Sequence, residues 1–176
     1  RTSLGDIAQR AGATRGAVYW HFKDKMDVFV SMLGRICLPF EEICDDRYGD
    51  LLPLERIRHS ILCVFESLDE DERRRKVFET ALFKMEYVGE LADVRLQHIE
   101  SSGFAREKFA RDLAAAAQGQ SVQLSVSPEE AALGLHSLFV GLIHGWVLTE
   151  GSFSLVKVGS MSVDVYLSGL GFQVNL

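Results

Sequence analysis

Residues 3–25 read SLGDIAQRAGATRGAVYWHFKDK, and their capping and turn residues predict two short helices joined by a tight turn. Ser3 followed by Asp6 is a capping-box pattern, which predicts that a helix begins there. Gly12 favours the turn, because glycine adopts left-handed backbone conformations without steric cost. Thr14 is a preferred cap for the second helix, since its hydroxyl can accept a hydrogen bond from an unpaired backbone N–H.

This arrangement fits a helix-turn-helix, in which a small residue lies where the helices touch and an apolar residue locks the second helix. Ala8 and Val18 occupy those two positions. The second helix places aromatic and basic side chains on its outer side. Hydroxyl and guanidinium groups bind phosphates and base edges, and aromatic rings pack on sugars and thymine methyls. The predicted DNA-binding residues of this helix are Thr14, Arg15, Gly16, Tyr19, Trp20 and His21.

The charge of the chain is distributed unevenly. The 176 residues carry a net charge of -6, which as an average argues against nucleic acid as a partner. Up to Lys25, however, five basic side chains oppose two acidic ones, so this stretch carries +3 and the remainder -9. A short basic end on an acidic body is typical of a nucleic-acid-binding head attached to another unit.

The rest of the chain predicts an all-α body. Hydrophobic residues make up 47% of the sequence, charged residues 25%, and only 3 residues are proline, as in an ordinary globular protein. Asp24 opens a third helix, whose apolar stripe runs on to Ile43 and is interrupted by Pro39. Pro53 opens a helix with an apolar face. The charged stretch 69–76 is predicted to form the corner and first turn of the next helix, whose apolar face covers residues 77–85. Further helices are predicted over about residues 90–117, 128–149 and 162–170. Residues 118–126 read as a loop and residues 151–159 as a linker.

The stretch quoted above closely resembles the DNA-binding signature of the TetR/AcrR family of bacterial transcriptional regulators. The run Tyr19-Trp20-His21-Phe22-Lys23 is its most distinctive part. The segments at residues 38–40, 141–146 and 152–155 are similar to the branch that represses multidrug efflux pumps in Gram-negative bacteria. The resemblance implies an all-α fold with an N-terminal helix-turn-helix DNA-binding head, residues 1–30, and a helical ligand-binding and dimerisation domain, residues 31–176.

The resemblance also implies roles for residues at the edges of the head. Thr2 and Ser3 would lie at the DNA backbone, and Lys25 would bind a phosphate. Gly16 would let the helix approach DNA closely, because it carries no side chain. The family's first helix, which braces the other two, is missing before Arg1. We therefore expect the natural protein to have residues upstream, and the chain as given to bind DNA weakly.

The helix predicted from Pro128 is apolar over much of its circumference, so it is expected to pack on its own domain and on a partner. The alternative is a helix buried in a monomer. A homodimer suits DNA binding, because two heads must reach successive major grooves about 34 Å apart. The predicted interface residues are Leu135, Leu138, Leu142, Trp146, Val163, Tyr166, Leu167 and Leu170.

Aromatic and methionine side chains in the body predict an apolar pocket for a lipophilic small molecule, because such side chains adapt to varied shapes. For any one of them, the alternative is an ordinary place in the core. The candidate ligand-binding residues are Phe78, Leu82, Phe83, Met85, Glu86, Leu96, Ile99, Phe139 and Ile143.

Other chemistry finds little support in the sequence. His136 and His144 lie eight residues apart without acidic or thiol companions, so neither a metal nor another cofactor is predicted. Three cysteines with no CxxC spacing indicate buried thiols in a reducing cytoplasm. No uninterrupted apolar run approaches the roughly 20 residues of a membrane span, so no membrane partner is expected. The sequence contains no glycine-rich phosphate loop, GxSxG or HExxH, and we expect no enzymatic activity.

The head motif and the two-part layout predict a homodimeric repressor on a palindromic operator that a lipophilic ligand releases. The resemblance implies that it controls a multidrug efflux operon. The helix that follows the head is the expected lever, because it would touch both head and body. Two alternatives remain open. One is a regulator of lipid or other metabolic genes that senses an acyl ligand. The other is a regulator relieved by a partner protein or by oxidation of a thiol.

Overall fold

The computed structural model describes residues 2–34, 49–83 and 92–174 of the chain. These residues form helices joined by turns, and no strand occurs among them, so the predicted all-α class is confirmed. The helices are α1 Leu4–Arg10, α2 Arg15–His21, α3 Lys25–Gly34, α4 Pro53–Glu70, α5 Glu72–Phe83, α6 Ala92–Gln120, α7 Pro128–Leu148 and α8 Leu155–Gly169.

The helix-turn-helix forms at the positions where the caps predict it. The Ser3 Oγ atom accepts a hydrogen bond from the Asp6 backbone N–H at 3.2 Å, and the Asp6 carboxylate accepts one from the Ser3 N–H at 2.8 Å. Gly12 adopts φ +65°, a left-handed conformation that favours glycine. The Thr14 hydroxyl accepts a hydrogen bond from the Ala17 N–H at 3.2 Å. α1 then packs directly on α2.

The third helix also begins as predicted. The Asp24 Oδ1 atom accepts hydrogen bonds from the backbone N–H groups of Met26 at 2.7 Å and Asp27 at 2.9 Å. α3 is described as far as Gly34, and Phe29 lies buried on it. The continuation of the apolar stripe and the expected effect of Pro39 lie outside the described residues.

α4 forms the centre of the body. Its predicted apolar face is confirmed, because all five of its residues are at most 8% exposed, namely Leu54, Ile57, Ile61, Phe65 and Leu68. α5, α6 and α8 all pack against α4, and α7 lies against α5, α6 and α8. Helices that meet one central helix in this way bury one continuous apolar core.

The last helix begins earlier than the sequence predicts. α8 starts at Leu155, where Ser154 accepts a hydrogen bond from the Lys157 N–H at 3.2 Å, and not at about residue 162. The sequence predicts Gly159 in a linker, but this residue lies inside the helix. A glycine fits there because the Phe65 ring occupies the space that a Cβ would need. Tertiary packing therefore overrides the low helix propensity of glycine at this position.

α7 is long and apolar. Within the described ranges, only this helix has the length and composition of a membrane span. Uninterrupted apolar runs, on which the sequence prediction rests, miss it because polar residues interrupt the helix. Seven of its side chains, including Phe139 and Trp146, lie in the core. A core helix passes the same test, so one such helix is weak evidence for a membrane.

Candidate nucleic-acid interface and effector body

The outer surface of α2 carries large aromatic side chains in solvent. Tyr19 is 58% exposed and Trp20 86% exposed, and none of the residues of α2 is buried. Val18, predicted to lock α2 on α1, is half-buried. Exposing an indole ring costs free energy unless a partner covers it. The two rings therefore form a surface suited to contacts with sugars and base edges.

Arg15 and Gly16 shape the start of this surface. Arg15 is exposed, and its Nε atom lies 3.1 Å from where a Cβ on Gly5 would stand, so its guanidinium group runs along α1. A Cβ at Gly16 would meet no atom within 4 Å, which leaves the backbone of α2 open to solvent. His21 is exposed at the last position of the helix. The structure thus brings the six predicted α2 residues onto one small exposed element.

The remaining head residues combine exposure with capping. Thr2 and Lys25 are exposed, and Lys25 is the first residue of α3. The Ser3 hydroxyl donates to the Asp6 carboxylate at 2.7 Å. The backbone hydrogen bond from Ser3, supported by this hydroxyl, holds the pKa of Asp6 below its ordinary value of 3.8. Ser3 therefore stabilises the start of α1, and its contact with the DNA backbone stays a prediction.

The predicted pocket residues that the structure describes lie in different surroundings. Phe78, Phe139 and Ile143 lie in the core, whereas Leu96 is 52% and Ile99 49% exposed on α6. Phe83 is 38% exposed, and its ring centroid lies 4.7 Å from that of His144. The remaining three predicted residues (the Leu82 side chain, Met85 and Glu86) lie outside the described part of the structure.

Two open grooves in the described part of the body were not anticipated. One, of about 1070 Å³, lies between the middle of α6 and the start of α7 and is lined by residues including Phe104, Arg111 and Leu133. The other, of about 530 Å³, lies between α5 and the end of α7 and includes Arg75, Phe83 and Leu148. Sequence periodicity marks which face of a helix is apolar, but it does not show where two helices diverge.

Four of the predicted dimer-interface residues belong to the core of one chain. Leu135, Trp146, Val163 and Leu167 are at most 2% exposed, so they have no surface left for a partner, and their assignment is corrected to the core. The other four, which are half-buried, stay predictions: Leu138, Leu142, Tyr166 and Leu170.

Trp146 shows why the sequence misassigned these residues. Its indole N–H donates to the Phe153 carbonyl at 3.0 Å, and the guanidinium group of Arg75 stands 5.1 Å from the ring centroid. The ring is thus enclosed by α5 and by the turn that precedes α8. An apolar pattern on a helix does not tell an intramolecular contact from an intermolecular one.

The outward face of α8 instead presents side chains that the sequence prediction left out. Met161 is 59% exposed and Val165 67% exposed, four residues apart and therefore on one side of the helix. Next to them, the Tyr166 hydroxyl donates to the Ala131 carbonyl of α7 at 2.8 Å. Met161 was missed because the predicted helix starts near residue 162, one position after it.

The described histidines and the described cysteine show no metal-binding arrangement. Among the described residues, no group of three His, Cys, Asp or Glu side chains stands close enough to hold a metal ion. Cys63 lies half-buried on α4, and Cys37 and Cys44 fall outside the described ranges.

Two family profiles match the chain, one over the head and one over most of the body. The profile of the bacterial regulatory proteins of the tetR family matches residues 1–32, the head. The profile of the C-terminal region of MAATS-type transcriptional repressors matches residues 52–172, most of the body. The chain belongs to the TetR family. This confirms the resemblance carried by the sequence of the head.

Relatives of this TetR-family chain are transcriptional regulators. The transcriptional repressor BepR of Brucella suis is 34% identical over 100% of this chain and 85% of its own length. The transcriptional regulator AcrR of Shigella flexneri is 33% identical, covering 94% of this chain and 78% of its own length.

A solved structure shows the same architecture. SmeT, the repressor of the Stenotrophomonas maltophilia multidrug efflux pump SmeDEF, has been solved in complex with triclosan. That structure matches with a TM-score of 0.73 and 31% identity, over 96% of this chain and 81% of the other. The protein is therefore a TetR-family transcriptional repressor with a helix-turn-helix DNA-binding head, homologous to repressors of multidrug efflux operons.

Proposed function

We propose that this repressor acts in the cytoplasm as a homodimer on a palindromic operator, and that a lipophilic small molecule releases it from a multidrug efflux operon. The observation that carries the proposal is the exposure of Tyr19 and Trp20 on α2. Aromatic rings held in solvent on the second helix of a helix-turn-helix suit contact with a major groove. The similarity to SmeT, the repressor of a multidrug efflux pump, supports the choice of regulated operon.

Dimerisation is supported by apolar side chains that one chain leaves uncovered. Met161 and Val165 on α8, together with Leu148 on α7, are each more than half exposed. α7 and α8 pack on each other, so two such helix pairs can form a four-helix bundle around a two-fold axis. Isologous contact of this kind would hold two heads at a fixed separation, which a palindromic operator requires.

Release by a small molecule is supported by the relation to SmeT, which has been solved with triclosan. A ligand can shift the equilibrium only by its differential affinity for the DNA-bound and released conformations. Converting a protein that is about 99% bound to about 99% free takes about 10⁴-fold preference, or about 5.5 kcal/mol. The ligand must therefore contact groups whose positions differ between the two conformations.

The proposal is tested with the full-length protein and a fluorescent duplex of its own upstream intergenic DNA. A saturated complex is titrated with lipophilic antimicrobials, triclosan among them, and the anisotropy of the DNA is followed. We expect at least one compound to return the anisotropy to that of free DNA at saturation. If no compound does so while the DNA stays bound, the ligand-release part of the proposal is wrong.

Two further titrations distinguish the alternatives. Release by long-chain acyl-CoA, without release by antimicrobials, would identify a regulator of lipid metabolism. Release by an oxidant, rescued by replacing Cys37, Cys44 or Cys63 with serine, would identify a thiol switch. If antimicrobials, acyl-CoA and the oxidant all leave the DNA bound, release by a partner protein is the alternative that remains.

A further inference from the structure

Arg56, near the start of α4, connects two parts of the body that are distant in sequence. Its Nε atom donates to the Oδ1 atom of Asp112 on α6 at 3.1 Å, and its Nη2 atom donates to the same oxygen. Its Nη1 atom donates to the Leu51 carbonyl at 2.8 Å and to the Gly49 carbonyl at 3.5 Å. One guanidinium group therefore joins a side chain of α6 to the backbone of the turn before α4.

The geometry makes this connection rigid. A guanidinium group is planar, and its donors point in fixed directions. Asp112 is only 7% exposed, so its carboxylate is buried and has little access to water. A shift of α6 relative to α4 would therefore displace the Leu51 carbonyl or break one of the two contacts.

The turn that Arg56 contacts lies where the chain enters the body from the head. Gly49 directly follows residues 35–48, the part of the chain between α3 of the head and the body. On the other side of Arg56, α6 packs against α7 and borders the 1070 Å³ groove. Arg56 thus stands between α6, which packs on both α4 and α7, and the point where the chain enters the body from the head.

A second arginine on the same helix provides an internal comparison. Arg58 donates through Nη2 to the Oδ2 atom of Asp164 on α8 at 2.8 Å, and through Nε to Oδ1. The Asp164 side chain is 7% exposed and that of Asp112 9%, so both pairs hold a buried carboxylate. The contacts described for Arg58 join α4 to α8 alone, whereas those of Arg56 also include the entry turn.

We propose that Arg56 is a positioning residue for operator binding: by joining Asp112 to the Leu51 and Gly49 carbonyls, it fixes the entry of the chain from the head relative to the body. Arg58 lacks this role and contributes only to the packing of the body. The inference rests on the proposed function, because operator binding is its readout.

The experiment compares four variants of the full-length protein, Arg56→Met, Arg56→Lys, Arg58→Met and Arg58→Lys. Operator affinity is measured by fluorescence anisotropy, thermal stability by circular dichroism and dimerisation by light scattering. The two methionine variants each leave one buried carboxylate unpaired, so both are expected to melt at lower temperature. The lysine variants keep the charge but supply only one compact donor group, which cannot span both the carboxylate and the turn.

We expect Arg56→Met and Arg56→Lys to weaken operator binding about tenfold, within the range usual for coupled sites. Both Arg58 variants are expected to keep an operator affinity within about twofold of the wild type. The lysine pair carries the test if a methionine variant does not fold.

Three results would overturn the proposal. The first is full operator affinity in Arg56→Lys, because charge alone would then suffice. The second is an equal loss in the Arg58 variants, because stability would then explain the effect. The third is failure of the wild-type protein to bind its operator, which removes the proposed function as well; the first two leave that function standing.

Discussion

Replacing Val165 with aspartate is expected to separate the dimer without unfolding the chain. Val165 is 67% exposed on α8, so one chain gains little from its side chain. Full burial of such a side chain is worth about 1.5–3 kcal/mol, and the exposed part leaves about 1–2 kcal/mol per protomer for the interface. Two protomers lose about 2–4 kcal/mol, which raises the dissociation constant by about 30-fold to about 1000-fold.

Sedimentation equilibrium over a range of protein concentrations measures this change directly. The control is Phe104→Asp, which replaces a 63% exposed aromatic on α6, away from the proposed interface. Phe104→Asp should leave the dissociation constant within about twofold of the wild type, since surface substitutions typically change stability by under about 0.5 kcal/mol. If Val165→Asp remains dimeric while Phe104→Asp dissociates, the dimer forms through α6, and the assignment of α7 and α8 is wrong.

Further perturbations test the head, the packing of the body and the cap of α7. Tyr19→Ala in the full-length protein should weaken operator binding by about 1–3 kcal/mol and leave dimerisation intact; unchanged anisotropy titrations would remove α2 as the reading helix. Gly159→Ala should cost about 1–3 kcal/mol in urea denaturation, because its Cβ would overlap the Phe65 ring. Gly103→Ala, whose Cβ meets no atom within 4 Å, should instead gain about 0.5–1 kcal/mol. The pKa of Glu130 lies below its ordinary 4.5 because it accepts the cap hydrogen bond of α7. The stabilisation that the ionised Glu130 carboxylate gives to the folded state is fully present above pH 4.5 and is lost as the pH falls through the lowered pKa. If the urea midpoint of Glu130→Gln falls with decreasing pH as steeply as that of the wild type, this role of the Glu130 carboxylate is wrong.

The parts of the fold that local chemistry determines are predictable from the sequence. The starts of α1, α2, α3 and α7 follow from side chains that accept hydrogen bonds from backbone groups two or three residues away. The identity of the head follows in the same way, because all of its characteristic residues lie within one short stretch. The buried face of α4 also follows, since its apolar residues recur every three or four positions.

Contacts between distant residues are the part that sequence patterns cannot give. In the sequence, Gly159 has the character of a helix breaker, and only the structure shows the Phe65 ring, ninety-four positions away, packed against it. The Arg56–Asp112 pair spans 56 residues, and neither side chain stands out in a charged sequence. Similarly, Trp146 has the composition of an interface residue, but Arg75 and the Phe153 carbonyl enclose it in one chain. In each case the deciding partner comes from another helix or turn.

The central claim is that the exposed surface of α2 binds a specific DNA site. The most direct measurement is fluorescence anisotropy of the full-length protein on its own upstream intergenic duplex, at two salt concentrations, beside a scrambled duplex of equal length. We expect binding to the natural duplex at least about 10³-fold tighter than to the scrambled one, with both affinities falling as salt rises. Equal affinity for the two duplexes, or binding that salt does not change, would contradict the account.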